Sequence, residues 1–223
     1  TITYAVGSET ADISVEEMRF EHGFFVFDVR VGADYWRGLQ LGIPGIHNAE
    51  NAAACIAMCL ELGLDENAIR ESIKTFKGVK RRFEYHVNNH KNVYIDDYAH
   101  HPEELKACIA SLRDLFPGKK ITGVFQPHLF SRTRDFGDDF AKSLSQFDEV
   151  MLLDIYPARE LPMEGITSEW LLKKIKNPKK QLISKSDMMR KIHESQAQVL
   201  LTIGAGDIGE EVKHIKKEFS VAS

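Results

Sequence analysis

Val93-Tyr94-Ile95 runs directly into Asp96-Asp97-Tyr98-Ala99-His100-His101-Pro102, and a polar-started helical pattern begins there. An apolar run that stops at two carboxylates, a phenol and two imidazoles reads as a strand ending at a reaction site. In an open α/β sheet the side chains at the C-terminal end of a strand emerge into the crevice where ligands bind. The helix that follows offers unpaired backbone N–H groups that suit an anion. Adjacent carboxylates and adjacent imidazoles are poor core material, because each must be desolvated or paired. Asp and Pro also cap and start helices, so a purely structural reading stands beside the functional one.

Downstream of this junction the pattern is strand, helix, strand, helix. Apolar runs at Val93 to Ile95, Ile121 to Phe125, Val150 to Ile155, Gln181 to Ile183 and Val199 to Ile203 read as strands. Helical patterns follow at about 102–116, 131–146, 167–176, 186–195 and 207–219. Such alternation predicts an α/β fold with a mostly parallel sheet covered by helices on both faces.

Upstream the rhythm differs. Residues 1 to about 43 alternate as short antiparallel strands, Ile2 to Val6, Ala11 to Phe20, Phe24 to Val31 and Tyr35 to Leu41. Glu21-His22-Gly23 and Gly32-Ala33-Asp34 serve as turns between them. After Pro44-Gly45 an alanine-rich helix is expected from Asn48 to Leu62, ended by Gly63. A second, N-capped by Asp65, is expected to reach Phe76, with Ile69, Ile73 and Phe76 on one face and Gly78 as the stop. The boundary between the two parts is expected near residue 80, giving domains 1–80 and 81–223.

The chain of 223 residues is 43% hydrophobic, enough for a substantial core. A formal charge of -4 with mixed signs leaves no broad basic face, which argues against nucleic acid as a main partner. No apolar stretch reaches the roughly 20 residues that cross a bilayer, and no signal peptide opens the chain, so a cytoplasmic protein without a membrane partner is expected. Cys55, Cys59 and Cys108 lack metal-ligand spacing and read as buried thiols, with no metal site expected. The start at Thr1, without an initiator Met and inside a β-like pattern, leads to the expectation of a piece of a longer protein.

Four further segments could carry chemistry. His47, Asn48 and Asn51 cluster on the first turn of the alanine-rich helix, where Asn amides match the edge of an adenine or simply cap the helix. Lys80-Arg81-Arg82 lies at the domain junction; a guanidinium there can grip a nucleotide phosphate, and the same residues can be a solvated patch. Gln126-Pro127-His128-Leu129-Phe130-Ser131-Arg132-Thr133-Arg134 follows the next strand and can hold a carboxylate or phosphate. Gly204-Ala205-Gly206-Asp207-Ile208-Gly209 matches a dinucleotide fingerprint. It comes on the last strand, however, without room for an acidic ribose ligand about 20 residues on, so it reads as a tight turn with close helix packing rather than an NAD site.

Taken in order, Pro44 to Asn51, Gly78-Val79-Lys80-Arg81-Arg82-Phe83-Glu84, Asp96 to Pro102, Phe125 to His128, Asp154-Ile155-Tyr156-Pro157-Ala158-Arg159-Glu160 and Gly204 to Gly209 resemble the motifs of the Mur ligases over essentially the whole chain. The resemblance is strongest to the branch that joins L-alanine to UDP-N-acetylmuramate in peptidoglycan precursor synthesis. It implies that residues 1–80 are the tail of a central ATP-binding domain and 81–223 a C-terminal Rossmann-like ligase domain. It also implies an ATP-dependent, amide-forming enzyme. ATP phosphorylates the lactyl carboxylate of UDP-N-acetylmuramate, and the amine of L-alanine then displaces phosphate from the acyl phosphate.

The resemblance assigns His47, Asn48 and Asn51 to the adenine side, Arg82 to the γ-phosphate and Asp97 to the ribose hydroxyls. Tyr98, His100, His128 and Arg132 line the amino-acid and acyl-phosphate end, with His100 and His128 as catalytic groups and Arg132 on the alanine carboxylate. No Gly-x-x-x-x-Gly-Lys-Ser/Thr stands in the 223 residues, so the phosphate cradle and the Mg2+ ligands are expected upstream and these residues alone are expected to be inactive. Leu129 departs from the family's usual Arg, leaving Arg132 or Arg134 to compensate. A tripeptide-adding ligase of the same family and a non-catalytic nucleotide-binding module are the alternatives.

Overall fold

The computed structural model describes residues 1–21, 24–43 and 45–221. The expected turn at His22-Gly23 and the break at Pro44 lie outside the described residues. The chain divides into two compact units, Thr1–Gly78 and Val79–Ser223.

In the first unit β1 (Tyr4–Val6), β2 (Ile13–Glu21), β3 (Phe24–Val31) and β4 (Asp34–Leu41) form one sheet in chain order. The pairs β2·β3 and β3·β4 are antiparallel, but β1 lies parallel to β2, with Tyr4 opposite Ile13, which corrects the all-antiparallel reading. A parallel neighbour normally needs a long crossover. Here β1 has three residues, and a strand rises about 3.3 Å per residue, so the short stretch between Val6 and Ile13 is long enough to return to its start.

Ile13, Val15, Phe27, Val29, Leu39 and Leu41 share one core with Ala49, Ala52, Ala53 and Ile56 of α1 (Ile46–Glu61). The small alanines let the helix backbone approach the sheet. Ile69 of α2 (Glu66–Thr75) joins the same core. The carboxylate of Asp65 accepts the N–H groups of Asn67 and Ala68 at 3.0 and 3.1 Å and caps α2.

Three details differ from the sequence reading. The first helix starts at Ile46 on Gly45, whose φ of 115° suits glycine, so Asn48 is inside the first turn and is not the cap. The second ends at Thr75, which leaves Phe76 exposed instead of on the buried face. Cys55 is exposed on α1 and Cys59 half-buried; of the three thiols, Cys108 is the buried one.

The second unit is a six-stranded sheet in the order β5-β6-β10-β7-β8-β9. Its strands are β5 (Glu84–Asn88), β6 (Val93–Asp97), β7 (Ile121–Phe125), β8 (Glu149–Leu152), β9 (Lys180–Leu182) and β10 (Val199–Ile203). All pairs are parallel except β5·β6. That antiparallel edge strand, absent from the sequence reading, carries the polar residues Glu84, His86 and Asn88 and so shows no apolar run.

Period-two alternation sorts the strands onto two cores. Val93, Ile95, Ile121, Phe125, Val199 and Leu201 pack with α3 (Pro102–Leu115), α5 (Gly137–Leu144) and α6 (Ser168–Lys174). Tyr94, Val124, Met151 and Leu200 pack with α7 (Lys185–Ser195) and α8 (Val212–Val221). The helix expected over 131–146 is broken at Phe136 into α4 (Phe130–Asp135) and α5, with Gly137 against the ring of Trp170, where a Cβ would meet carbon at 2.5 Å. The helix expected over 207–219 opens as a 3-10 turn, Asp207–Glu210. Among the described residues no helix is long and apolar enough to cross a membrane.

The position of β10 decides where a ligand can enter. Chains leaving β6 and β7 pass to helices on one face, whereas the chain leaving β10, between them, passes to α8 on the other. Such a topological switch opens a crevice at the C-terminal edge of the sheet.

Candidate active site at the sheet edge

Three loops meet at that edge. After β6, the adjacent aspartates diverge because successive strand residues face opposite sides. Asp96 is fully buried, accepts the Thr202 hydroxyl at 2.6 Å and pairs with Arg81 Nε at 2.8 Å. The same guanidinium donates to the Gly204 carbonyl at 2.6 Å and lies 5.2 Å from the Tyr98 ring centroid. Arg81 is therefore a staple across the ends of β6 and β10, not part of a solvated patch.

Asp97 is also buried. Its two oxygens accept the backbone N–H groups of Phe83 and Ala99 at 2.6 and 2.7 Å. Burial raises its pKa against the opposing pull of those N–H groups and of Arg82. Each oxygen retains a lone pair, so its hydrogen-bonding capacity is not exhausted by these two contacts.

Arg82, the neighbour of the staple, keeps its guanidinium half-exposed, 3.6 Å from Glu104 and 5.6 Å from the Tyr98 ring. Glu104, on the first turn of α3, accepts the N–H groups of His100 and His101 at 2.9 and 3.2 Å. Burial pushes the Glu104 pKa up, and the His100 N–H, His100 itself, the His101 N–H and Arg82 together bring it below the usual glutamate value. The two adjacent histidines also part: His101 packs edge-on against Phe136, while His100 turns toward His128, with ring centroids 6.2 Å apart.

After β7, His128 Nδ1 lies 3.3 Å from Arg132 Nη1. Burial, Arg132 and His100 depress the His128 pKa, with Glu160 acting in the opposite direction, so the imidazole is neutral near pH 7. Arg132 is half-buried and no described carboxylate pairs with it. Arg134, the other cation set against Leu129 in the sequence, is exposed and engaged by Asp135 at 2.7 Å.

The third loop is Gly204–Gly209 after β10. The space above its glycines is filled by protein. A Cβ on Gly204 would lie 2.6 Å from the Gln126 carbonyl, on Gly206 2.4 Å from Gln126 Oε1, and on Gly209 2.5 Å from Arg81 Nη1. Gln126 holds the turn by donating to Asp207 at 2.7 Å and accepting the Ile208 N–H at 2.9 Å. These glycines serve close packing against Gln126, Tyr156 and Arg81, where the sequence reading gave a tight turn with close helix packing.

Thus Arg82, Asp97, Tyr98, His100, His128 and Arg132 are gathered in the second unit. His47, Asn48 and Asn51 stand on the first turn of α1 in the first unit. Sequence reasoning missed Arg81 as a staple and Glu104 as the anchor of the histidine loop. The second had a readable signal, an acid three residues after the N-cap residue His101. Backbone strain concentrates here too: Arg81, Phe83, Leu129 and Ala158, with φ of 59, 51, 71 and 51°, are four of the six non-glycine residues with positive φ among those described.

The edge of this switch-point α/β sheet thus presents two histidines and a half-buried guanidinium, a set of groups suited to an anion. The family model described as Mur ligase, glutamate ligase domain matches residues 81–209, and the chain belongs to the Mur ligase family. A curated relative, UDP-N-acetylmuramate--L-alanine ligase of Flavobacterium johnsoniae, is 53% identical over 94% of this chain and 47% of its own length. The crystal structure of UDP-N-acetylmuramate-alanine ligase from Thermotoga maritima is 26% identical, with a TM-score of 0.78 over 98% of this chain and 48% of that one. Folylpolyglutamate synthase of the same organism shares the fold, with a TM-score of 0.69 at 24% identity over 92% of this chain and 47% of that one. The chain spans about half the length of the curated relatives it matches.

Proposed function

We propose that these residues are the C-terminal half of an ATP-dependent ligase that joins L-alanine to UDP-N-acetylmuramate through an acyl phosphate. Residues 1–80 then end its central ATP-binding domain, and 81–223 form its ligase domain. The observation that carries the reading is Arg132: a half-buried guanidinium beside two imidazoles, with no described carboxylate on it, is suited to the carboxylate of an incoming amino acid. The 53% identity to a relative named for this reaction supports the choice of acceptor.

In this reading Arg132 orients alanine, and the neutral His128 accepts a proton as the amine adds to the acyl carbon. The tetrahedral intermediate then expels phosphate with the electrons of the C–O bond. Tyr98 and His100 line the same end, and Arg82 neutralises the transferred phosphoryl group. Asp97 binds the ribose, and His47, Asn48 and Asn51 bind the adenine. The Mg2+ that accompanies ATP is read as lying with the triphosphate contacts of the upstream part. With ATP and a UDP-sugar as substrates, the reaction belongs in the cytoplasm.

The test is phosphate release by the longer protein containing these residues. Release that needs UDP-N-acetylmuramate, L-alanine and ATP together is expected, and none from the 223-residue chain alone. Turnover by the short chain, or turnover indifferent to L-alanine, would overturn the assignment.

A further inference from the structure

The segment Asp154 to Glu160, in the loop after β8, has no role in the reaction as read above, yet it touches the His128 loop at every level. Through the main chain, Tyr156 N–H donates to the Pro127 carbonyl at 2.8 Å and the Tyr156 carbonyl accepts the Leu129 N–H at 2.9 Å. The two loops are thereby joined as a single parallel bridge between His128 and Tyr156. Through side chains, the Tyr156 ring is stacked on the His128 imidazole, 5.7 Å between centroids and 21° between planes. Behind it, Tyr156 is fixed against Gly206, where any Cβ would come within 2.7 Å of its own.

Glu160 completes the contact. One oxygen accepts the Ser131 N–H at 2.9 Å and the other accepts the Ser131 hydroxyl. The residue at the N-cap of α4, Leu129, has no acceptor in its side chain, so the first turn of this six-residue helix is capped from another loop. Arg132 stands one position after Ser131. Leu129 in one loop and Ala158 in the other both have positive φ, 71 and 51°. Such backbone persists only where its surroundings hold it.

We propose that Tyr156 and Glu160 are positioning residues that hold the His128 ring and the Arg132 guanidinium in register for the amino-acid acceptor. This rests on the ligase reading for the identity of the acceptor, but its geometric content does not. The groups facing His128 are Arg132 from α4, His100 from the loop after β6, and Tyr156 and Glu160 from the loop after β8. Glu160 is the anionic one, and its Coulomb pull favours the imidazolium against burial, Arg132 and His100.

The experiment uses the longer protein with Glu160→Gln, Tyr156→Leu and Tyr156→Phe. A misplaced reacting group costs up to about 100-fold, so Glu160→Gln and Tyr156→Leu are expected to raise the KM for L-alanine about tenfold while the KM for ATP stays within about twofold. Tyr156→Phe is expected to restore the KM, because the ring stacks and the hydroxyl does not. The acid limb of the pH profile in Glu160→Gln is expected at lower pH than in the parent. NMR titration of the His128 ring reads the same displacement without any turnover. Loss of thermal stability and kcat with both KM values and the His128 midpoint unmoved would make the contact merely structural and overturn the proposal. Absence of L-alanine-dependent phosphate release from the parent would instead sink the ligase reading, and the His128 midpoint in Glu160→Gln would still decide the positioning role.

Discussion

Arg81 and Arg132 are both guanidiniums at the edge of one sheet, and their surroundings put them to opposite uses. Arg81 is saturated by the Asp96 carboxylate and the Gly204 carbonyl. Arg132 has an imidazole nitrogen at 3.3 Å and no described carboxylate. A cation already satisfied by fixed partners organises loops, and one left half-buried without a counter-charge is available to an anion from outside. Neither residue type nor position in a basic run separates the two.

The largest effect should come from removing the saturated cation. Arg81→Met leaves Asp96 buried without its partner and is expected to cost about 3 kcal/mol of unfolding free energy, measured by urea titration. An unchanged midpoint would mean that Arg81 is not a staple. Next, Arg132→Ala should lower kcat/KM for L-alanine about 100-fold in the longer protein, equivalent to about 2.7 kcal/mol, while stability moves by less than about 0.5 kcal/mol. Equal losses of stability in the two variants would erase the contrast between them.

The smallest effect is a pH slope. The His128 pKa is lower in the folded protein than in the unfolded chain, where it takes its ordinary value near 6.5. The folded state therefore binds fewer protons in the window between those two values, and stability falls as pH drops through it. Comparing urea midpoints at about pH 5.5 and 7.5, His128→Gln should flatten this slope relative to the parent. A slope unchanged by the substitution would show that the imidazole is not held neutral.

Much of this was legible in the chain itself. The apolar runs that gave β6, β7 and β10 are buried along their whole length, which is why they are continuous and easily seen. The loop chemistry at Asp96–His101 and His128–Arg132 stood out because such residues are costly to bury. The unseen parts were those whose signals are non-local. β5 is a polar edge strand defined by its partner, and β1 runs parallel to β2 because its brevity allows a short return. The packing of Gly137, at the start of α5, is set by Trp170, more than thirty residues away. Asp96 and Asp97 look equivalent as adjacent letters. The side of the sheet each one faces, and hence the ion pair with Arg81 for one and two backbone N–H groups for the other, appears only with strand register.

The central placement of β10 also governs the order in which the molecule can be assembled. β6 and β7 have no hydrogen bonds to each other and depend on residues 199–203 to join them, so more than a hundred residues must be synthesised after β6 before the middle of the sheet exists. Closing so long a chain segment is slow, and the exposed strand edges of the unfinished intermediate invite pairing with other chains. During translation these residues should therefore lean on chaperones until the final strand inserts, and the histidine loops on either side acquire their shape together, in that last step.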